Sequence, residues 1–193
     1  MTRSTAVCLA LLLAGCAATP APRDRTTPSA TTSTAPRIAR AQAERGEVVL
    51  ASASASLVSG KLALVPMGDG VHLSGEIGGL TPNGTHALHI HEKGDCSAAD
   101  ASSAGGHFNP NAAPHGRAGQ GAHHAGDMDN IVADARGVAR VNAHARGVTL
   151  GDGGIADVAG RAVIVHAQAD DYRTQPTGNA GARLACGVIR ALR

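Results

Sequence analysis

From position 46 onward, apolar and polar residues alternate in short runs, and no segment keeps a helical period beyond a couple of turns. Runs of strand length occupy Val48–Leu50, Leu57–Val65, Val71–Ile77, Thr85–His91, Asn130–Val141, Arg161–His166 and Cys186–Leu192. Turn-forming clusters stand among them: MGDG (67–70), TPNG (81–84), DARG (134–137) and GDGG (151–154). This spacing predicts an all-β domain over residues 46–193, a Greek-key β-barrel or sandwich of about eight antiparallel strands. Two long stretches break the pattern, one from about Glu92 to Asp129 and one from Ala167 to Ala185. Loops of that length in a compact domain usually carry function.

Composition sharpens the picture in two places. The only aromatic residues are Phe108 and Tyr172, so the core must be built from Val, Ile, Leu and Ala. The formal net charge is +2, which gives no case for nucleic acid as a partner. Charge is also segregated. Residues 1–40 carry five Arg and one Asp, and the rest carry 12 Lys/Arg against 14 Asp/Glu.

The first 40 residues do not read as part of the fold. A short positive start is followed by an apolar stretch, Ala6 to Ala14, too short to span a bilayer as a helix. It ends in Leu13-Ala14-Gly15-Cys16, which resembles a bacterial lipobox. On that reading residues 1–16 are a lipoprotein signal peptide and Cys16 carries the lipid, with the domain on the extracytoplasmic side of a membrane. Ala17 after the cysteine points to the outer membrane. An ordinary secretory signal is the alternative. Residues 17–45, rich in Ala, Thr, Pro and Ser, read as a disordered linker. Cys8 leaves with the signal, so Cys96 and Cys186 remain as a pair, expected to form a disulfide in an oxidising compartment.

All ten histidines lie beyond residue 40. In Ala87-Leu88-His89-Ile90-His91, strand alternation puts Leu88 and Ile90 on one face and His89 and His91 on the other. Two imidazoles on one face can reach one metal ion. His86 falls on the Leu88 side and drops out as a ligand. His107, His115, His124 and Asp127 follow, a donor set that suits tetrahedral zinc. His166 ends a strand as His91 does, and imidazole-rich sites with an open position suit copper. His72, His86, His123 and His144 are expected on the surface.

The blocks HIHEKGDC, GGHFNP, PHG, HAGDMDNI, VIVHAQADD and GNAGARLACGVI, in that order, resemble the signature set of the copper–zinc superoxide dismutases, in particular the bacterial periplasmic branch. The resemblance covers about residues 46–193. It implies one copper ion held by His89, His91, His107 and His166, and one zinc ion held by His107, His115, His124 and Asp127. His107 would bridge the two metals. Asp170 would orient His89 and His115. His107 and Arg183 would be the catalytic pair, Arg183 attracting the superoxide anion at the copper mouth. Monomers and homodimers both occur among such bacterial enzymes, so oligomeric state stays open. One departure stands out: Pro176 occupies a position where many eukaryotic members place a steering lysine, and Arg173 is the candidate substitute. The chain has neither a nucleophile elbow nor a phosphate-binding loop.

Overall fold

A computed structural model describes residues 41–192. The expected signal peptide with Cys16, and most of the expected linker, lie outside the described residues. Ala43 is buried, and its backbone N–H donates to the Leu150 carbonyl at 2.7 Å.

Among the described residues there are ten strands: β1 (Arg45–Ser52), β2 (Ser59–Met67), β3 (Gly70–Gly78), β4 (Thr85–His86), β5 (Leu88–His91), β6 (Ile131–Val132), β7 (Ala139–Arg146), β8 (Ala162–His166), β9 (Arg183–Val188) and β10 (Arg190–Leu192). The main sheet runs β5-β8-β9-β1-β2-β3-β7, with β10 also paired to β1, and every pairing is antiparallel. β4 and β6 form a separate two-stranded ribbon. The result is a curled antiparallel half-barrel, in the all-β class that the alternation predicts.

Three predicted runs split, the first being Thr85–His91, which divides at Ala87 into β4 and β5. Asn130–Val141 is broken because DARG really is a turn, in which Asp134 Oδ1 accepts the backbone N–H groups of Arg136 and Val138. The last run divides at Ile189, whose N–H bonds Arg161 O rather than continuing a ladder.

Alternation explains most of the core. Val48 and Leu50 of β1, Leu62 and Leu64 of β2, and Val71, Leu73 and Ile77 of β3 turn inward with the aliphatic side chains of β7. Burial of each such Val or Leu contributes about 1.5–3 kcal/mol, which compensates for the missing aromatics by number.

β5 and β8 differ: every residue in both is buried. Val163 and Val165 of β8 enter the main core, whereas Ala162 and Ile164 pack in a second cluster with Ala53, Ala101, Ala104 and Cys186. The disulfide Cys96–Cys186, with Cα atoms 5.7 Å apart, ties the first long loop over this outer face. The loop therefore acts as a second layer over the strands that carry the histidines.

Candidate metal centre

β5 and β8 are direct neighbours, with His89 opposite Ile164 and His91 opposite Ala162. A bulge follows Val165 and sets His166 opposite Arg183 of β9. The first long loop then folds back beside the free edge of β5. Phe108 N–H donates to Ile90 O at 2.8 Å, Ile90 N–H to Gly126 O at 2.9 Å, and Gly126 N–H to Phe108 O at 2.9 Å. This irregular ladder brings His107 level with His91 and Asp127 level with His89.

Two overlapping groups result. His89, His91, His107 and His166 each offer a nitrogen, all within 4.8 Å of one another; His107, His115, His124 and Asp127 do the same with one ligand atom each. All seven side chains are buried, and His107 is common to both groups. The His107 ring sits 4.0 Å from that of His89 and 5.3 Å from that of His124, centroid to centroid.

Hydrogen bonds select the donor atoms. His89 Nε2 donates to Asp170 Oδ2 at 2.8 Å and His115 Nε2 donates to Asp170 Oδ1 at 2.9 Å. One carboxylate thus spans the two groups and leaves each Nδ1 with its lone pair. His91 Nδ1 donates to Gly105 O at 2.9 Å and His166 Nδ1 to Gly181 O at 3.3 Å, which leaves both Nε2 atoms facing each other at 3.4 Å. His107 Nδ1 lies 2.8 Å from Asp127 Oδ1, and His124 Nδ1 lies 3.3 Å from the same oxygen.

His89 Nδ1, His107 Nε2 and His115 Nδ1 are buried without a hydrogen-bond partner. Orphaned buried nitrogens are costly unless something binds them. Their convergence, with the second nitrogen of each imidazole engaged elsewhere, fits metal ions: four imidazoles on one side, three imidazoles and a carboxylate on the other.

Electrostatics agree. Burial, reinforced by neighbouring imidazoles, pushes His91 down to about 2, His166 to about 3 and His107 to about 4. These groups are neutral, hence competent to ligate, throughout the physiological range. For Asp127, burial pulls upward, but hydrogen bonds from His107 and His124 outweigh it and hold the carboxyl well below its usual range. Asp170 follows the same logic, with His89 the leading donor against the burial effect.

Arg183 is half-buried. Its guanidinium donates to Ala101 O and Gly105 O, both at 2.7 Å. Gly105 O thus links Arg183 to the His91 imidazole. A cavity of about 270 Å³ opens beside Arg183, Asp100 and Gly181. Arg173 is exposed.

The surface expectation for His86 is overturned. It is 1 % exposed, and its Nδ1 donates to the His166 carbonyl at 2.9 Å, because residue 86 shares the inward face of Leu88 and Ile90. The alternation already carried that signal. Two further clamps had none. Asn130 grips the Asp170 backbone, accepting its N–H at 2.8 Å and donating to its carbonyl at 2.9 Å. Gln175 does the same for His115, at 2.8 and 2.9 Å. Gly178, at φ 65°, lies so close to Asp170 that a side chain would displace the carboxylate.

The family model for copper/zinc superoxide dismutase matches residues 58–189. A superoxide dismutase [Cu-Zn] of Aquifex aeolicus is 43% identical over 136 residues, covering 69% of this chain and 80% of the relative. One from Caulobacter vibrioides is 48% identical over 126 residues, covering 63% and 72%. The crystal structure of a superoxide-dismutase-like protein from Bacillus subtilis superposes with a TM-score of 0.67 at 35% identity, covering 79% of this chain and all of that one. With matching blocks, fold and paired donor sets in hand, the chain belongs to the copper/zinc superoxide dismutase family.

Proposed function

We propose that this protein disproportionates superoxide, two anions and two protons giving O₂ and H₂O₂. The observation that carries the reading is the sharing of His107 between two buried donor sets of different chemistry. His89 Nδ1, His91 Nε2, His107 Nε2 and His166 Nε2 would hold copper. His107 Nδ1, His115 Nδ1, His124 Nδ1 and an Asp127 oxygen would hold zinc. Bound copper supplies the one-electron redox chemistry, and redox-inert zinc holds His107 in place.

The chain's own groups do the rest. Arg183 supplies the fixed positive charge that draws the anion toward the His91–His166 side, held in position by Ala101 O and Gly105 O. Asp170 locks the tautomers of His89 and His115. His107 Nε2, buried and unpartnered, is the atom placed to hold a proton for the departing peroxide. Loop and disulfide layer keep bulk water away from the imidazoles.

The test is a superoxide assay on residues 41–193 loaded with both metals. A rate near the diffusional ceiling, about 10⁸–10⁹ M⁻¹s⁻¹, is expected. A fully metallated but inactive protein would refute the reading.

For location, the disulfide supports an extracytoplasmic compartment. The lipobox-like Leu13-Ala14-Gly15-Cys16 supports an acylated Cys16 on the periplasmic face of a membrane, the outer membrane by its Ala17, with residues 17–45 as the tether. Cys16→Ser is expected to release the protein from membranes, and continued attachment of that variant would count against an anchor.

A further inference from the structure

The two internal donor sets account for His89, His91, His107, His115, His124 and His166. A third grouping lies at the opposite end of the sheet path, on the half-exposed outer face of β3 and β7. His72 of β3 and His144 of β7 stand directly opposite each other in register. Their ring centroids are 6.3 Å apart with the planes inclined at 33°. Asp69, in the turn that starts β3, places Oδ1 2.8 Å from His144 Nε2.

From these observations we infer that His72, His144 and Asp69 form a third metal site, an open one on the surface, for a divalent transition metal such as zinc or copper.

Three features carry it. Directly opposed residues on one face of an antiparallel pair have Cβ atoms about 4.5–5.5 Å apart, so two imidazoles can meet at one ion. The observed ring separation is that of His107 and His166, 6.4 Å, within the buried quartet. As they stand, the donor atoms of His72, His144 and Asp69 do not all lie within 4.8 Å of one another, unlike those of the two buried groups, so an ion with metal–nitrogen bonds of about 2.0–2.1 Å is held only after a side chain turns. His72 is free to make that turn: among the described residues its imidazole has no hydrogen-bond partner.

The carboxylate matches as well. The 2.8 Å approach of Asp69 to His144 repeats that of Asp127 to His107 in the zinc-type set. It serves as third ligand or, if His144 binds through Nδ1, as the group that fixes its tautomer. Two imidazoles and an oxygen leave positions for water, and the donor types favour zinc or copper over magnesium or calcium. One feature opposes binding: Arg146 donates to Asp69 Oδ2 at 2.7 Å and adds a positive charge beside the site. Arg146 holds only the second oxygen, so Oδ1 stays available.

The test is equilibrium dialysis of the protein against micromolar zinc, with bound metal counted per chain. Wild type is expected to bind one zinc more than His72→Asn and one more than His144→Asn. Asp69→Asn should weaken that ion about ten-fold, and Arg146→Gln should strengthen it. His123→Asn, which alters another accessible histidine, should leave it in place. Superoxide turnover should be the same in all five variants. Equal zinc counts in wild type, His72→Asn and His144→Asn would overturn the site, as would loss of the ion in His123→Asn. The readout is a difference between proteins, so it stands apart from whether the internal groups take copper and zinc as proposed.

Discussion

The two halves of the histidine cluster are held in different ways. On one side, His89, His91 and His166 sit on β5 and β8, fixed by a regular ladder and by a core behind them. On the other, His115, His124 and Asp127 sit on a loop with no strand of its own. That loop is held by the Phe108–Ile90–Gly126 ladder, by the Gln175 clamp and by the Cys96–Cys186 tie. Both sets are equally buried, so burial does not distinguish them. What differs is where the ordering free energy comes from. Strand donors are preorganised by the sheet, whereas loop donors depend on side-chain clamps and a covalent link. The loop half should therefore fail first.

The largest effect is expected where the halves join. His107→Ala should lose metal at both sites and reduce turnover by at least about 100-fold, while His124→Ala should release zinc alone. Elemental analysis with an activity assay separates these outcomes. Retention of full copper and zinc by His107→Ala would show that the halves are independent.

Removing the disulfide comes next. Cys96→Ser/Cys186→Ser opens a link spanning a separation of 90 residues. The expected loss is about 4.6 kcal/mol in the chain-entropy model, read from denaturant unfolding. Zinc affinity should fall more than copper affinity in the same protein. Equal losses would mean that the tie serves the fold and not the loop.

Gln175→Ala tests the comparison more finely. It removes both bonds to the His115 backbone and leaves every ligand atom in place. Zinc binding should weaken about ten-fold with copper binding nearly unchanged. A change of the same size at both sites would contradict the distinction.

The smallest effect is the pH response of the metal-free protein. His107, His166 and His91 titrate at about 4, 3 and 2 when folded, against 6.5 for an unperturbed imidazole. Between those values the unfolded chain binds more protons, so stability is full above 6.5 and is lost as pH falls toward 4 and below. The lowered Asp127 acts in the same direction once pH drops under its ordinary 3.8. Thermal melts of metal-free protein should be level above pH 7 and decline through pH 6 to 4. Bound metal should raise stability throughout but keep or steepen that decline, because ligated nitrogens stay unprotonated in the folded state while the unfolded chain still takes up protons. A flat profile for the metal-free protein would contradict the burial argument.

The sequence by itself determined the class of the fold and the chemistry on offer. Period-two alternation marks a strand whenever one face meets a core, so β1, β2, β3 and β5 were legible to within a few residues. His89 and His91 could be paired by the same rule, and Cys96 and Cys186 by elimination. The alternation also puts His86 in phase with the inward-facing Leu88 and Ile90, and its burial follows that phase rather than the surface position expected for it. Long-range contacts were not legible, because nothing local encodes them. Asn130 reaches Asp170 across 40 positions and Gln175 reaches His115 across 60, each through amide groups that look like loop filler in one dimension. Nor could spacing alone say that Asp170 would touch both halves, or that β3 and β7 would set His72 against His144. Those pairings exist only once the sheet has curled and the loop has folded back along β5. Tertiary structure decides them because two donors separated by tens of residues meet only after the chain between them has been ordered.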